Sequence, residues 1–463
     1  MKTEYGVKAG NLSEDSGISD NKTSASSVSH REVDKTESRV TLERILSIQN
    51  LWIAYRRVKA NKGAPGIDNM SVGEFAGWFN ENGDEWIASI MNGTYKPQPV
   101  RRAEIRKDNG GIRKLGIPTV KDRVLQQAIS QILTPLYEGI LAECCYAYRP
   151  QRGARQAMEK VMDSICEGYE YACVLDLSQY FDTLNHEMLM NMLRKDIKDD
   201  RIIQLIKKYL KSGVMANGVK HKTEEGSPQG GNLSPLLANV YLTSFDKEFE
   251  SRGVRIVRYA DDILILARSQ RAAERLLRNS MTYLEAKLKL KVNHEKSKAI
   301  NVFDGARFKF LGFTVEKREG SPILRAHPKS IRKLKGKLKE LTGRSKGRGA
   351  RQIIAKVTEM ARGWIGYYQI AVLEDILAGI DSWARSRIRM CIWKQWKNMR
   401  TRIDALLKLG CSRRQALRWG KSQKGYWRIA HSPILTMTVT NDILRRVGYK
   451  GLMDFLEDSV NHA

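Results

Sequence analysis

The chain has 463 residues, of which 42% are hydrophobic, and its formal net charge is +29. This length suits two or three domains, and the absence of an uncharged apolar run of about 18 residues predicts no membrane span. The six cysteines show no paired spacing typical of zinc ligands, so neither a zinc site nor a disulfide framework is expected. The excess of positive charge predicts a polyanionic partner, most often nucleic acid.

The first elements in chain order follow a polar tail. Residues 1–38 are poor in apolar side chains and nearly balanced in charge, which predicts disorder. A helix is expected from about Thr41. Two short strands are expected around an Asn-Gly-Gly turn at Asn109–Gly111, and a helix over residues 121–140.

The next elements are a buried strand ending at Asp176, a turn, and a helix from Asn185. VRIVRYADDILILA predicts a hairpin of two apolar strands with Ala260 and Asp261 at the bend. A further strand pair is expected at 299–316, and helices dominate beyond Ile323. The predicted fold class is α+β, with a mixed body followed by an all-helical basic region.

Positive charge is concentrated in the last third of the chain. Residues 325–428 hold 27 Lys and Arg against 6 Asp and Glu, and they include six of the nine tryptophans. Basic side chains interleaved with aromatic ones suit a surface that neutralises phosphates and stacks on bases. Most of the tryptophans can still form the core of a helical domain while the cations face nucleic acid.

Three aspartates lie at the ends of apolar strands. Asp261 and Asp262 are adjacent in the predicted hairpin, and Asp176 ends the strand CVLD. Two like charges about 4 Å apart repel by roughly 4 kcal/mol at an effective dielectric constant near 20, so such a cluster favours a bound cation. Beside a nucleic-acid surface, it predicts a two-magnesium site. The alternative is that each aspartate only caps a turn or a helix.

Five ordered motifs resemble those of group II intron reverse transcriptases, over about residues 45–430. They are NKGAPGID from Asn61, LGIPTVKDR with Lys107 and Arg113, Asp176-Leu177 with Tyr180-Phe181, GSPQGGNLSP from Gly226, and YADD from Tyr259. The resemblance implies a right-hand polymerase, with fingers and an antiparallel palm sheet followed by an all-helical basic thumb.

The resemblance also implies roles for individual residues. Asp176, Asp261 and Asp262 are expected to be catalytic, and the same aspartates with the Leu177 carbonyl are expected to hold two Mg2+ ions. Asp262 is weighted slightly less as a direct ligand.

A second group of residues is expected around the nucleotide and the primer. Lys107 and Arg113 would clamp the triphosphate, with solvated charges as the alternative, and Phe181 would favour deoxynucleotides, with a simple core role as the alternative. The expected nucleotide-binding set also includes Gln229 and Lys296, although Lys298 competes with Lys296 for that role. Phe310, Leu311 and Gly312 would form the primer grip.

The implied domains are a tail at 1–38, fingers and palm at 39–320, a thumb at 321–408 that resembles the maturase domain X, and a basic DNA-binding-like segment at 409–463. No endonuclease domain is expected. Spacing of four on one helix places Arg385, Arg389 and Trp393 on one face. The expected nucleic-acid-binding residues are Arg362, Arg385, Arg389, Lys394 and Lys397.

The expected function is RNA-directed DNA synthesis by an intron-encoded protein that also assists splicing and copies the intron during retrohoming. The expected partners are the intron RNA, an RNA template, a DNA primer, target DNA and dNTPs, without a membrane, in the bacterial cytoplasm and on the nucleoid. The alternatives are a splicing-only maturase, and a reverse transcriptase of a retron, a diversity-generating element or a CRISPR locus.

Overall fold

The computed structural model describes residues 40–106, 110–216, 219–221, 226, 230–345 and 347–461. The predicted tail at 1–38 lies outside the described residues, as does Asn109 of the predicted turn at Asn109–Gly111. None of the described helices is long and apolar enough to cross a membrane.

The elements alternate between helices and strands up to residue 326, and only helices follow. The strands are β1 (Val100–Arg106), β2 (Ile112–Ile117), β3 (Tyr171–Asp176), β4 (Val214–Ala216), β5 (Val219–His221), β6 (Arg255–Tyr259), β7 (Asp262–Ala267), β8 (Lys298–Asn301), β9 (Phe313–Arg318) and β10 (Ser321–Ala326). The helices before residue 326 are α1 (Leu42–Ile45), α2 (Ile48–Ala60), α3 (Phe75–Met91), α4 (Val120–Glu138), α5 (Ala154–Cys166), α6 (His186–Asp196), α7 (Asp200–Leu210), α8 (Ser234–Ser251) and α9 (Gln270–Thr282).

The remaining helices are α10 (Pro328–Leu341), α11 (Ala350–Tyr368), α12 (Glu374–Gln395), α13 (Met399–Lys408), α14 (Arg413–Gly420), α15 (Tyr426–Ala430), α16 (Pro433–Thr436), α17 (Asn441–Arg446) and α18 (Leu452–Asn461). Short 3-10 turns cover Tyr180–Asp182 and Gly305–Arg307, and a π-turn covers Tyr283–Lys287. The predicted mixed body followed by a helical region is confirmed, and the helical region begins at Pro328.

A four-stranded sheet in the order β2-β1-β4-β5 forms the fingers. β1 and β2 pair antiparallel, as predicted, while β1 and β4 pair parallel. The predicted helix after this hairpin is confirmed as α4, whose N-cap Thr119 accepts a hydrogen bond from the Asp122 amide at 3.2 Å. This cap satisfies one of the unpaired amides of the first turn.

The palm sheet has the order β6-β7-β3-β8, and all neighbouring strands are antiparallel. Successive residues of β7 pack into two different cores: Ile263 and Ile265 into that of the fingers and palm, and Leu264 and Leu266 into a second core shared with the thumb. Burial on both faces explains why these strands read as continuous apolar runs. The predicted hairpin and the predicted strand ending at Asp176 are confirmed.

The predicted strand pair at 299–316 is wrong. β8 pairs with β3 at the edge of the palm sheet, and β9 pairs instead with β10, which extends to Ala326. Both segments are apolar enough to be strands, but local pattern does not specify a non-local partner. The expected boundary between residues 320 and 321 consequently falls in the β9–β10 turn.

The segment after residue 408 packs on the long thumb helix α12 and shares its core, which continues to Leu456. Asp381 of α12 is 2% exposed, and its carboxylate accepts hydrogen bonds from the Leu452 and Met453 amides at 2.9 Å each. A carboxylate at this position satisfies the unpaired amides at the start of α18. The helices of the thumb and of the C-terminal segment therefore form one packed unit.

Candidate active site

The three aspartates lie together at one end of the palm sheet. Asp176 of β3 is the register partner of Asp262 of β7, and Asp262 pairs with Tyr259 across the β6–β7 turn. The turn itself consists of Ala260, with a φ of 57°, and Asp261. The antiparallel register thus places at one edge the carboxylates that the sequence predicted to cluster.

The pKa of Asp262 is raised by its surroundings. Asp262 is exposed to solvent, but many protein atoms surround its carboxylate and desolvate it. This desolvation, followed by the charges of Asp261 and Asp176, raises the pKa of Asp262 to about 6, and Lys309 opposes the shift. A cation bound among the three carboxylates would offset their mutual repulsion, so the electrostatics of the site favour cation binding.

The donor set suits magnesium rather than a metal that needs a complete protein cage. Within the described residues, no three Asp, Glu, His or Cys side chains converge tightly enough to hold a metal by themselves. Magnesium is typically bound by one or two carboxylates together with phosphates and water. Asp176, Asp261 and the Leu177 backbone offer oxygen donors of that kind.

The backbone around Leu177 is held from both sides. The Asp176 carbonyl accepts a hydrogen bond from the Asn293 amide at 2.8 Å, and the Ser178 amide donates to the Lys291 carbonyl at 2.8 Å. Leu177 lies between these two contacts and is 6% exposed. The end of β3 is therefore fixed by the segment that follows α9.

The structure separates the two competing lysines. The Lys296 ammonium lies 3.4 Å from the Asp176 carboxylate, whereas the Lys298 ammonium donates to the Arg307 carbonyl at 2.8 Å. Lys296 is thus at the aspartate edge and Lys298 is engaged in a turn.

Phe181 lies in the 3-10 turn that follows β3. It is half-buried and its ring centre lies 5.4 Å from that of Tyr180, whose hydroxyl donates to the Ala238 carbonyl at 2.6 Å. Gly226 presses against the same turn, because a Cβ there would lie 2.6 Å from the Asp182 carbonyl oxygen. This close approach and a φ of +85° require glycine.

Three expected nucleotide-binding residues cannot be placed. Lys107 and Gln229 lie outside the described residues, and for Arg113 only the backbone in β2 is described. Gly230, the next residue after Gln229, lies against β2, because a Cβ there would lie 2.4 Å from the Gly116 carbonyl oxygen. Gly230 therefore contacts the fingers hairpin that carries Arg113.

The expected primer grip is a tight turn braced by the thumb. Phe310 and Phe313 exchange backbone hydrogen bonds, and the Tyr367 hydroxyl of α11 donates to the Leu311 carbonyl at 2.8 Å. Gly312 has a φ of +86°, and a Cβ there would lie 2.5 Å from the Tyr368 hydroxyl. The turn and the end of α11 are thus fitted to each other.

Arg258 holds the β6–β7 turn and is a residue that sequence reasoning missed. Its guanidinium is fully buried and donates to both Asp246 carboxylate oxygens of α8, at 2.6 to 2.9 Å. It also donates to Asn239 Oδ1 at 2.9 Å and to the Ala260 carbonyl at 3.1 Å. The available signal was an arginine between apolar residues in the second half of VRIVRY, because a charge inside a buried strand needs a buried partner.

The predicted basic stripe on α12 does not form one exposed face. Arg389 is 7% exposed, and its guanidinium donates to the Val439 carbonyl at 2.8 Å and to Asn441 Oδ1 at 3.0 Å. Trp393 is buried as well, and Arg385 is half-buried. This corrects the expectation for Arg389, because helical spacing does not reveal that the C-terminal segment covers this face.

The other expected nucleic-acid-binding residues are exposed. Arg362 lies over the Phe455 ring at 5.6 Å, and Lys394 lies over the Tyr426 ring at 5.1 Å. Lys397 is also exposed. These three side chains remain accessible to a partner.

A basic groove between the primer-grip turn and α10 was also missed. It is an open cavity of about 450 Å³. Lys329, Lys333 and Lys337 follow one another at spacing four along α10, and Trp364 and Tyr368 of α11 stack at 4.4 Å between ring centres. The spacing was visible in PKSIRKLKGKLKEL, and it places the three lysines on one helical face.

Two family models match this chain. Residues 105–315 match the family described as "Reverse transcriptase (RNA-dependent DNA polymerase)", and residues 331–410 match "Group II intron, maturase-specific domain". The first range holds all three aspartates, and the second covers most of α10 together with α11, α12 and α13.

Two relatives extend the similarity beyond the single domains. Protein YkfC of Escherichia coli (strain K12) is 30% identical over 321 residues, which cover 60% of this chain and 84% of that protein. Group II intron-encoded protein LtrA of Lactococcus lactis subsp. cremoris is 29% identical over 357 residues, covering 63% of this chain and 59% of LtrA. The match therefore spans less than two thirds of LtrA.

The buried pair predicts a difference between single and double variants. Arg258→Met should lower the free energy of unfolding by about 3–5 kcal/mol, because it leaves Asp246 charged and unpaired in the core. Arg258→Met/Asp246→Leu should recover most of that loss, since no buried charge remains. Urea denaturation measures both. If the double variant is as unstable as the single one, the unpaired charge is not the cause.

The raised pKa of Asp262 predicts that protons and divalent cations compete. The folded chain holds the Asp262 proton more tightly than the unfolded chain does, so without a cation stability falls as pH rises from about 4 through about 6. A bound cation requires the ionised carboxylate, so Mg2+ should raise the melting temperature more at pH 7.5 than at pH 5.5. Asp261→Asn is the control and should show a smaller Mg2+ effect. Equal Mg2+ effects at both pH values would contradict the assignment.

Proposed function

Because this chain belongs to the group II intron-encoded reverse transcriptases, we propose that it copies its parent intron RNA into DNA with two Mg2+ ions and assists the splicing of that RNA. The observation that carries the polymerase part is the antiparallel register that brings Asp176, Asp261 and Asp262 to one edge of the palm sheet. The maturase part rests on the match of residues 331–410.

Asp176 and Asp261 would hold the two ions, with the Leu177 carbonyl assisting and Asp262 beside them. When bound, the ions would lower the pKa of the primer 3′-hydroxyl and offset charge on the phosphoryl group being transferred. The protein's contribution is to hold these oxygens in place: Arg258 fixes the turn, and the Asn293 amide fixes the Asp176 backbone. A prearranged site spends little energy on reorganisation during the reaction.

The incoming nucleotide would lie between the palm and the fingers. Lys107 and Arg113 would bind its triphosphate, Arg113 through its two-pronged guanidinium, and Gln229 would border the base pair. Phe181 would stand against the sugar and favour deoxynucleotides. Lys296 lies 3.4 Å from Asp176. With the charge of that carboxylate neutralised by bound cations, the Lys296 ammonium would be free to contact the leaving pyrophosphate.

The primer strand would leave the site along the primer-grip turn Phe310-Leu311-Gly312. Lys309 and the α10 lysines line the adjoining groove, where ammonium groups can neutralise backbone phosphates without reading sequence. The RNA template would pair with this strand across the cleft.

The thumb and the segment at 409–463 would bind the intron RNA and target DNA. Arg362, Lys394 and Lys397 are exposed and suit this role, and Arg385 is half-buried. Arg389 instead stabilises the packing of the C-terminal segment. We place this work in the bacterial cytoplasm and on the nucleoid.

A splicing-only maturase is the second candidate, and the three crowded carboxylates weigh against it. Without a cation their repulsion is a cost that a protein with an unused site has no reason to keep. The maturase match favours the intron class over the retron, diversity-generating and CRISPR-associated classes.

Primer extension tests the proposal. With purified protein, an RNA template, a DNA primer, Mg2+ and dNTPs, the parent chain should extend the primer. Asp261→Ala should reduce the rate at least about 100-fold, because a group that stabilises transition-state charge is lost. Asp84→Asn, which changes an exposed aspartate on α3, is the matched control and should leave the rate unchanged.

Folded parent protein that binds the intron RNA tightly but extends no primer would contradict the polymerase proposal. It would leave an RNA-folding maturase. Extension that survives in Asp261→Ala would show that the metal site is elsewhere.

A further inference from the structure

A second basic groove lies between the loop after α3 and the C-terminal end of α7. It is an open cavity of about 420 Å³. Four of its seven lining residues are lysines and none is acidic: Lys96, Pro97, Gln204, Lys207, Lys208, Lys211 and Ser212. An open cavity with this lining is suited to a multiply charged anion.

The groove is held open by contacts within the protein. The Lys208 ammonium donates to the carbonyls of Gly93 and Tyr95, the latter at 3.2 Å, and so ties α7 to the loop that carries Lys96. Within the described part of the chain, Lys96, Lys207 and Lys211 form no ion pair with a carboxylate. Their charges are therefore available to a partner.

Helix stabilisation alone does not explain the arrangement. Lysines in the last turn of a helix are favoured by the helix dipole, and this accounts for Lys207 and Lys208. Lys96 comes from another element, and Lys211 follows the last helical residue. Four positive charges in one groove repel one another, and a bound polyanion would offset that repulsion.

The groove lies outside the catalytic cleft. None of the three aspartates Asp176, Asp261 and Asp262 lines it, and neither do Phe181, Lys296 or the primer-grip residues. A strand that occupies the polymerase cleft therefore leaves this groove free.

We propose that this groove binds the phosphate backbone of the parent intron RNA, apart from the template–primer duplex. The inference rests on the proposed function, in which one chain holds a structured RNA and also copies RNA. Lysine ammonium groups are flexible point charges that suit phosphate contacts without base recognition. The groove anchors the RNA while the cleft is engaged in synthesis.

The test compares two double variants with the same loss of charge. Lys207→Gln/Lys211→Gln removes two groove cations, and Lys160→Gln/Lys247→Gln removes two exposed lysines on α5 and α8. Binding of the transcribed intron RNA is measured against salt concentration, with an unrelated RNA of equal length alongside. Extension of a short, unstructured template–primer is measured in parallel, and circular dichroism verifies folding.

The groove variant should bind intron RNA about tenfold more weakly, and the slope of log affinity against log salt should fall by roughly 1.4–1.8, which corresponds to two phosphate contacts. Its extension of the short template–primer should stay within about twofold of the parent. The control variant should keep the parental slope.

Three outcomes overturn the inference. The first is a groove variant that binds intron RNA no more weakly than the control. The second is an equal loss of short template–primer extension, which would assign the groove to the duplex. The third is a groove variant that prefers intron RNA over unrelated RNA as strongly as the parent chain does. A parent chain that shows no polymerase activity, while the groove variant still binds intron RNA more weakly than the control variant, would contradict only the polymerase part of the proposed function.

Discussion

The position of the three aspartates at the edge of the palm sheet depends on the buried contact between Arg258 and Asp246. This contact joins β6 to α8 with no exposed surface on either side chain, and the same guanidinium holds the carbonyl of Ala260 in the turn. The backbone of Arg258 also exchanges hydrogen bonds with the segment at 144–146, at 2.8 and 2.9 Å. Two buried charges cost much desolvation energy, so this pair contributes more to a unique geometry than to net stability.

That geometry brings the palm and the thumb to the same point. Tyr367 of α11 donates to the Leu311 carbonyl, and burial, followed by Tyr368, Tyr259 and Asp262, raises the pKa of Tyr367 to about 12. The thumb thus contacts the primer-grip turn close to the catalytic turn. The two faces of the palm sheet pack into different cores, and one of these cores continues through the thumb. The thumb therefore shares a core with the strands that carry Asp176 and Asp262.

The clustering of the three aspartates was predictable because its signal is local. An Ala-Asp bend between two apolar strands fixes a hairpin, and an aspartate that ends a second apolar strand reaches the same edge when the two strands pair. The partner of β8 and the pairing of β9 with β10 were not predictable, since several apolar segments could have formed those pairs. Arg389 illustrates the same limit: helical spacing gives its face but not the segment that covers it. The Lys96 and Lys207 groove joins residues over a hundred positions apart, which no local pattern reveals.

We propose that Asp176 and Asp261 hold the divalent cations of the polymerase. The most direct measurement is anomalous diffraction from crystals of the chain with an RNA template, a DNA primer, a non-hydrolysable dNTP and Mn2+ in place of Mg2+. We expect two Mn2+ peaks at the edge of the palm sheet, within coordination distance of both carboxylates. Peaks elsewhere, with an ordered nucleotide and none at this edge, would contradict it.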